Sequence, residues 1–159
     1  MPKLIYLDLS ENNILLVEQN TFSGLSELKY LDLSFNRLPS IKIGTFNSLS
    51  QLLVLDFFLN QIISVDDGSF NGMTNLFALD LDLNNIRTLS SGIFVGMPNI
   101  VEIFLSECSI SIVPANTFIN VPTLELLDLS FNTISVVEDG AFTSLYELVV
   151  LGNYKFLNI

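Results

Sequence analysis

Residues 28–36 read LKYLDLSFN, and closely similar segments recur every 24 residues along the chain. The others are LIYLDLSEN at 4–12, LLVLDFFLN at 52–60, LFALDLDLN at 76–84, IVEIFLSEC at 100–108 and LELLDLSFN at 124–132. A fixed period of about 20–50 residues is typical of a solenoid, in which each coil buries its apolar side against its neighbours. We therefore predict one repeat domain over 1–159, with six full coils over 4–147 and a divergent, partial seventh over 148–159.

Each coil opens with two leucine-like positions that are separated by one outward residue, as in Leu31 and Leu33. This alternation predicts a short strand, and stacking the coils places the strands in one parallel sheet. Three positions later the coils carry Asn12, Asn36, Asn60, Asn84, Cys108 and Asn132. An inward asparagine can hydrogen-bond to the backbone of adjacent coils, so we predict an asparagine ladder. Because cysteine tolerates burial, we favour Cys108 as a substitute member of this ladder over a reactive thiol.

The second half of every coil contains a column of phenylalanines: Phe22, Phe46, Phe70, Phe94, Phe118 and Phe142. Six aromatic residues in register predict a buried spine on the convex side of the solenoid. Two residues before each phenylalanine, only glycine or asparagine occurs: Asn20, Gly44, Gly68, Gly92, Asn116 and Gly140. These two residue types enter the left-handed region most easily, so a positive φ is expected there in every coil. The convex side is therefore predicted to consist of loops and short helical turns.

Composition excludes several classes of function. The chain has 17 acidic and 6 basic side chains, a formal net charge of −11, no histidine and one cysteine. A strongly negative chain repels phosphate, so we expect no nucleic acid as a partner. Without histidine or a second cysteine, imidazole catalysis and the usual zinc sites are unavailable. No phosphate-binding, nucleophile or calcium motif occurs either, so we expect no enzyme activity, no cofactor, no metal site and no membrane-spanning segment.

Residues between the inward leucines face the concave surface, where charge and aromatic side chains form columns. We select fourteen candidate ligand-binding residues: Tyr6, Asp8, Tyr30, Asp32, Phe35, Val54, Asp56, Phe58, Ala78, Asp80, Asp82, Glu102, Phe104 and Asp128. The aspartate column could hold a cation or attract a basic partner. Alternatively, aspartate is simply the usual residue of this repeat at that position, and the carboxylates are solvated and bind nothing. A uniform column offers no contrast in environment that would separate an acid from a base. The apolar residues around coils two to four form a partner site, or reflect drift in a degraded paralogue, or are half-hidden at the sheet edge.

The full pattern, LxxLxLxxNxIxxΦxxxxFxxLxx with Φ apolar, resembles the leucine-rich repeat. Its 24-residue period is similar to the typical extracellular subclass in the ectodomains of Toll-like receptors, neuronal adhesion receptors and small secreted leucine-rich proteoglycans. The resemblance implies an α/β repeat solenoid, a horseshoe with a concave parallel β-sheet. It also implies protein–protein recognition in an extracellular receptor or adhesion protein, including roles in innate immunity. The alternative is a secreted structural protein of the matrix type.

Two features depart from that resemblance. The family's cysteine-rich caps are missing, since one cysteine cannot build them. Residues 1–4 align onto residues 97–100, and no signal peptide precedes them, so we interpret the sequence as an internal or truncated fragment. Uncapped ends would expose the core of the first coil and the strand edge near 148–151. We therefore expect self-association through these ends.

Overall fold

The computed structural model describes residues 3–152, and within them the chain forms a stack of repeated coils with short strands. The strands are β1 (Tyr6–Asp8), β2 (Tyr30–Asp32), β3 (Ser40–Ile41), β4 (Val54–Asp56), β5 (Ser64–Val65), β6 (Ala78–Asp80), β7 (Glu102–Phe104), β8 (Ile112–Val113), β9 (Leu126–Asp128), β10 (Val136–Val137) and β11 (Val150–Leu151). Seven of them form one parallel sheet in the order β1-β2-β4-β6-β7-β9-β11. Residues 153–159, most of the proposed seventh coil, lie outside the described residues.

The register of the large sheet reproduces the sequence period. Leu7 pairs with Leu31, Leu31 with Leu55, and Asp32 with Asp56. Because each residue pairs with the residue 24 positions later, every sequence column becomes a row of side chains across the sheet. The predicted solenoid with one concave parallel sheet is confirmed.

The inward leucines and the phenylalanine column form the core between the sheet and the convex side. Five of the six phenylalanines are buried, and Phe142 is half-buried in the last complete coil. Phe22 stacks on Phe46 with ring centroids 5.7 Å apart, and Phe118 stacks on both Phe94 and Phe142 at 5.5 and 5.8 Å. The predicted spine is therefore confirmed for the interior coils. At the first coil, Leu4, Leu7 and Leu9 are only half-buried, whereas their equivalents in the second coil are covered on both sides.

The asparagine ladder joins successive coils as predicted. The side-chain amide of Asn60 donates to the carbonyl of Leu33 in the preceding coil, at 2.9 Å, and to that of Phe57, at 3.1 Å. Its Oδ1 accepts the N–H of Leu38 at 3.0 Å. Equivalent bonds to a preceding coil are made by Asn36, Asn84 and Asn132.

The glycine or asparagine column has positive φ at Asn20, Gly44, Gly68, Asn116 and Gly140. The same prediction is wrong for Gly92, whose φ is not in the left-handed region. Space favours glycine there, because a Cβ at Gly92 would lie 2.5 Å from Cγ of Asp67 and the Asp67 side chain would have to move. One column thus contains glycine for two different physical reasons.

The convex segments are successive hydrogen-bonded turns rather than helices. In the first coil, Ser23 N–H donates to Asn20 C=O and Leu25 N–H to Phe22 C=O, both i to i+3 contacts. Thr117 Oγ1 donates to the carbonyl of Pro114 at 2.8 Å, so this threonine closes a turn instead of capping a helix. Within residues 3–152 no α-helix forms, and the short helical turns of the prediction are reduced to these single turns.

A second column of positive φ was not predicted. It lies at the strand exit, one residue before the ladder position, and comprises Glu11, Phe35, Leu59, Leu83, Glu107 and Phe131, with φ of 51–55°. None is glycine or asparagine, although the left-handed region costs other residues about 1–2 kcal/mol. The conformation is held by the neighbouring coil, because Phe35 N–H donates to Phe58 C=O and Leu59 N–H to Asp82 C=O.

The outer strands form two separate pairs, β3 with β5 and β8 with β10. Among residues 3–152, β5 pairs with no strand of the next coil, and that coil is joined to β8 only by an isolated bridge between Thr88 and Ile112. The interruption coincides with a left-handed Arg87, whose N–H donates forward to Cys108 C=O instead of back to the preceding coil. A groove of about 310 Å³ lies at this gap, lined in part by Ser64 and Ser90.

The buried spine predicts a large loss of stability on truncation. We expect Phe70→Ala to lower the free energy of unfolding by about 3–5 kcal/mol, the range for emptying a buried aromatic site. The matched control is Phe77→Ala, because Phe77 is 44% exposed, and about 1 kcal/mol or less is expected there. Urea denaturation followed by circular dichroism measures both. Equal losses in the two variants would contradict the assignment of the spine.

Candidate functional site

The fourteen candidate residues differ in how far the concave face exposes them. Four are exposed: Tyr6, Asp8, Tyr30 and Phe35. Seven are half-buried: Asp32, Val54, Asp56, Phe58, Ala78, Asp80 and Glu102. Three are buried: Asp82, Phe104 and Asp128. The accessible part of the proposed surface therefore lies in coils one to four and continues only to Glu102 in the fifth.

The aspartate column has a structural role in five coils. Oδ1 of Asp8, Asp32, Asp56, Asp80 and Asp128 accepts the backbone N–H two residues later, at 2.7–2.9 Å. Each aspartate thereby closes an Asx turn at the end of its strand. The Asx turn thus explains why aspartate recurs at this position. The interpretation of the column as solvated carboxylates is wrong for Asp128, which is buried.

The fifth coil lacks this aspartate, since Phe104 stands in its place. The amide that it would have satisfied, Ser106 N–H, donates instead to Oδ1 of Asp82 in the fourth coil, at 2.6 Å. Asp82 occupies a position where four other coils carry serine (Ser10, Ser34, Ser106 and Ser130). An aspartate one coil earlier therefore replaces the missing acceptor. Asp82 and Phe104 are buried as a consequence of this arrangement, and neither offers a free group to a ligand.

The carboxylates of the column do not share one environment, contrary to the expected uniformity. Hydrogen bonds from the Ser10 hydroxyl and amide lower the pKa of Asp8, which is fully exposed. Burial raises the pKa of Asp56, with a further contribution from the charge of Asp32. Burial also raises the pKa of Glu102, beside Glu125. The contrast arises because the first coil is open to solvent whereas Asp56 lies between coils.

The cation interpretation receives no geometric support. Among residues 3–152, no three carboxylate, thiol or imidazole groups converge closely enough to hold a metal ion. Neighbouring aspartates are spread along parallel strands about 4.8 Å apart, each with one oxygen engaged in its own turn. The column is an extended stripe of charge rather than a coordination site.

Aromatic side chains line the same stretch of the concave face. The rings of Tyr6 and Tyr30 lie 6.0 Å apart, and those of Phe35 and Phe58 lie 5.4 Å apart. Tyr30, Phe35 and Leu59 are exposed. Their apolar neighbours are half-buried (Val54, Phe58, Ala78 and Leu83), so this surface is accessible in part. A cavity of about 150 Å³ opens between the tyrosines and the next strand, lined by Tyr6, Tyr30, Leu31, Asp32, Val54 and Asp56.

Cys108 occupies the asparagine ladder in the fifth coil. Its thiol donates to the carbonyl of Leu81 at 3.1 Å, the same relative position that each ladder asparagine contacts in its preceding coil. Burial raises the pKa of the Cys108 thiol to about 12. Both observations agree with a structural substitute and oppose a reactive thiol.

A family model described as leucine rich repeat matches residues 1–38, 26–82 and 58–110, and a second model of the same description matches 122–136. The chain belongs to the leucine-rich repeat family. Among solved structures, the TLR13–ssRNA13 complex has a TM-score of 0.90 and 29% identity, over 95% of this chain and 21% of that chain. The mouse RP105/MD-1 complex has a TM-score of 0.83 and 28% identity, over 95% of this chain and 26% of that chain.

This leucine-rich repeat thus resembles the repeats of a Toll-like receptor and of RP105, and it spans about a fifth to a quarter of the length of those chains. No curated protein sequence matches it. The repeat family and its receptor neighbours are protein-interaction folds. Within residues 3–152, no helix is long and apolar enough to cross a membrane.

The Asp82–Ser106 bond predicts coupling between two distant sequence positions. We expect Asp82→Ser alone to destabilise the chain by about 1–3 kcal/mol, because the buried Ser106 N–H loses its acceptor. Adding Phe104→Asp supplies the acceptor from the fifth coil itself, as in the other coils. A double-mutant cycle by urea denaturation should give a favourable coupling of about 1–2 kcal/mol. Strict additivity of the two substitutions would contradict this explanation.

The raised pKa of Cys108 predicts slow thiol chemistry. At pH 8 the folded chain should react with a thiol-specific disulfide reagent about a thousandfold more slowly than the urea-unfolded chain, because the thiol stays protonated and buried. Absorbance of the released chromophore measures both rates on the same sample. Comparable rates in the folded and unfolded states would show that Cys108 is reactive.

Proposed function

We propose that this chain recognises another protein through coils one to four of its concave face, as the ligand-binding part of an extracellular receptor. The observation that carries the proposal is the coincidence of exposed aromatic side chains with carboxylates on one rigid sheet. Tyr6, Tyr30 and Phe35 are exposed there, beside Asp32 and Asp56. Aromatic anchors surrounded by polar groups are typical of protein-binding surfaces.

Charge defines the kind of partner. The net charge of −11 and the carboxylate stripe favour a partner whose contact surface is basic. Lys42 and Asp66 form an ion pair at 3.2 Å, and neither residue is a concave candidate.

The structural neighbours support a protein partner, although they differ in what they bind. The RP105 structure is a complex with MD-1, whereas the TLR13 structure is a complex with ssRNA13. A fold of this kind therefore does not by itself exclude nucleic acid. The expectation that nucleic acid is not a partner therefore conflicts with the TLR13 neighbour, and the charge of the chain, with 6 basic against 17 acidic side chains, is what favours a protein partner. The same neighbours support a location outside the cytosol, at the cell surface or in an endosomal lumen.

Site-specific photo-crosslinking tests the proposal. A benzophenone amino acid at Ala78, on the concave face, should crosslink a protein from a library of secreted and cell-surface proteins. The matched control carries the same group at Thr74, an exposed position on a convex turn. Crosslinks formed at Thr74 but not at Ala78 would show that the convex side binds. Single-stranded RNA at 0.15 M salt is a third arm, and saturable RNA binding would overturn the protein-partner proposal.

The stripe and the aromatic anchors should affect binding kinetics differently. Changing Asp32 and Asp56 to asparagine should lower the association rate and flatten its salt dependence, because exposed charges are screened beyond about 8–10 Å at physiological salt. Tyr30→Ala should mainly raise the dissociation rate, because buried aromatic anchors contribute about 2 kcal/mol or more. Surface plasmon resonance with the crosslinked partner measures both rates. Binding insensitive to both changes would exclude the concave face.

A further inference from the structure

The small cavity on the concave face between coils one, two and three combines aromatic and acidic groups in one place. Its volume is about 150 Å³, and Tyr6, Tyr30, Val54, Asp32 and Asp56 contribute to its lining. Sites for whole small molecules are commonly about 300–1,000 Å³. The cavity therefore has room for a single inserted side chain rather than for a drug-sized ligand.

The tyrosines supply an aromatic wall. Tyr6 and Tyr30 are paired residues on adjacent strands, and their rings are tilted by 36° with centroids 6.0 Å apart. Both side chains are exposed, so a ring face is available to a partner. Cations bind over tyrosine faces, and the planar guanidinium group of arginine also stacks on them.

The carboxylates of Asp32 and Asp56 supply the acidic part of the lining. Asp32 and Asp56 are paired across β2 and β4, so their carboxylates stand side by side at the strand spacing. Oδ1 of each is held by its Asx turn, at 2.9 Å from Ser34 N and 2.7 Å from Phe58 N. In the described part of the chain, Oδ2 of neither group receives a hydrogen bond from protein. Two half-buried like charges without a counter-cation favour an incoming cation with several N–H donors.

We infer that this cavity is a specificity pocket for an arginine side chain presented by the partner protein. The guanidinium group stacks against the Tyr6–Tyr30 wall and donates to Oδ2 of Asp32 and Asp56. Lysine fits less well, because its ammonium group is compact, strongly hydrated and unable to stack or to donate in a planar fork. The inference rests on the proposed function for its biological setting, but the pocket itself can be tested without the partner.

The test uses three short peptides, acetyl-Gly-Xaa-Gly-amide with arginine, lysine or citrulline in the middle position. Titration of the full chain at low salt is followed by NMR of isotope-labelled tyrosine rings. We expect the arginine peptide to shift the Tyr6 and Tyr30 resonances saturably and to bind about tenfold more tightly than the citrulline peptide, which keeps the shape without the charge. The lysine peptide should also bind more weakly than the arginine peptide.

Variants of the pocket locate the site. Asp56→Asn should weaken the arginine peptide about tenfold, while its side-chain oxygen can still close the Asx turn and preserve the fold. Tyr30→Leu should weaken binding as well. The matched controls are Asp139→Asn and Tyr146→Leu, which are exposed and lie outside the pocket, and they should leave the affinity unchanged.

Several results would overturn the inference. Equal affinity for arginine and citrulline would exclude recognition of charge, and equal affinity for arginine and lysine would exclude recognition of the guanidinium group. Undiminished binding to the Asp56→Asn and Tyr30→Leu variants would place the site elsewhere. If no tyrosine resonance shifts, the cavity does not bind arginine, and the photo-crosslinking test of the concave face is unaffected. If the arginine peptide binds but the concave face forms no crosslink, the proposed function is rejected and the arginine pocket is retained.

Discussion

A coil that leaves a sheet at a sharp turn buries backbone amides and carbonyls that no strand partner can reach, and the ladder asparagine is the group that satisfies them. Its carboxamide donates to carbonyls in two coils and accepts an N–H from the preceding one. Because asparagine has both donor and acceptor atoms on a short side chain, one residue type joins two coils at every turn. The register of the sheet, the stacking of the phenylalanines and the columns of the concave face all follow from this spacing.

The fifth coil has Cys108 at the ladder position, which keeps the donor of the asparagine side chain but lacks its oxygen acceptor. The thiol of Cys108 still donates to the carbonyl of Leu81, but sulfur is a weak acceptor. Within residues 3–152, Ile86 N–H, the counterpart of Leu38 N–H, donates no such bond to the ladder position. Next to it, Arg87 turns into the left-handed region and the outer strand pairing stops. We relate the gap between the two outer sheets to this single substitution. The seven-stranded sheet continues through β6 and β7, the strands of the fourth and fifth coils. The loss of the ladder asparagine therefore affects the turn after the strand more than the strand pairing.

Sequence periodicity did not predict the outer strands β3, β5, β8 and β10, but it was sufficient to predict the strands of the concave sheet, the ladder and the spine. Each of these depends on residue types that recur at one spacing and are needed for one physical reason. The exceptions depend on tertiary contacts between coils. The left-handed Phe35 and Leu59 are held by the next coil and carry no local signal, whereas Gly92 is glycine because Asp67 approaches it. The burial of Asp82 could have been suspected only by noticing that an unusual aspartate stands one coil before a missing one.

The interaction of Asp82 with Ser106 also bears on how such a chain can change its length. Where neighbouring coils are joined only by hydrogen bonds that every coil makes, one 24-residue coil can replace another. Duplication or deletion of a coil then leaves the same contacts between the remaining coils. Coils four and five are an exception, because the acceptor for the fifth coil is carried by the fourth. Recombination between them would separate a buried amide from its carboxylate, so we expect these two coils to tolerate duplication or deletion only as a pair.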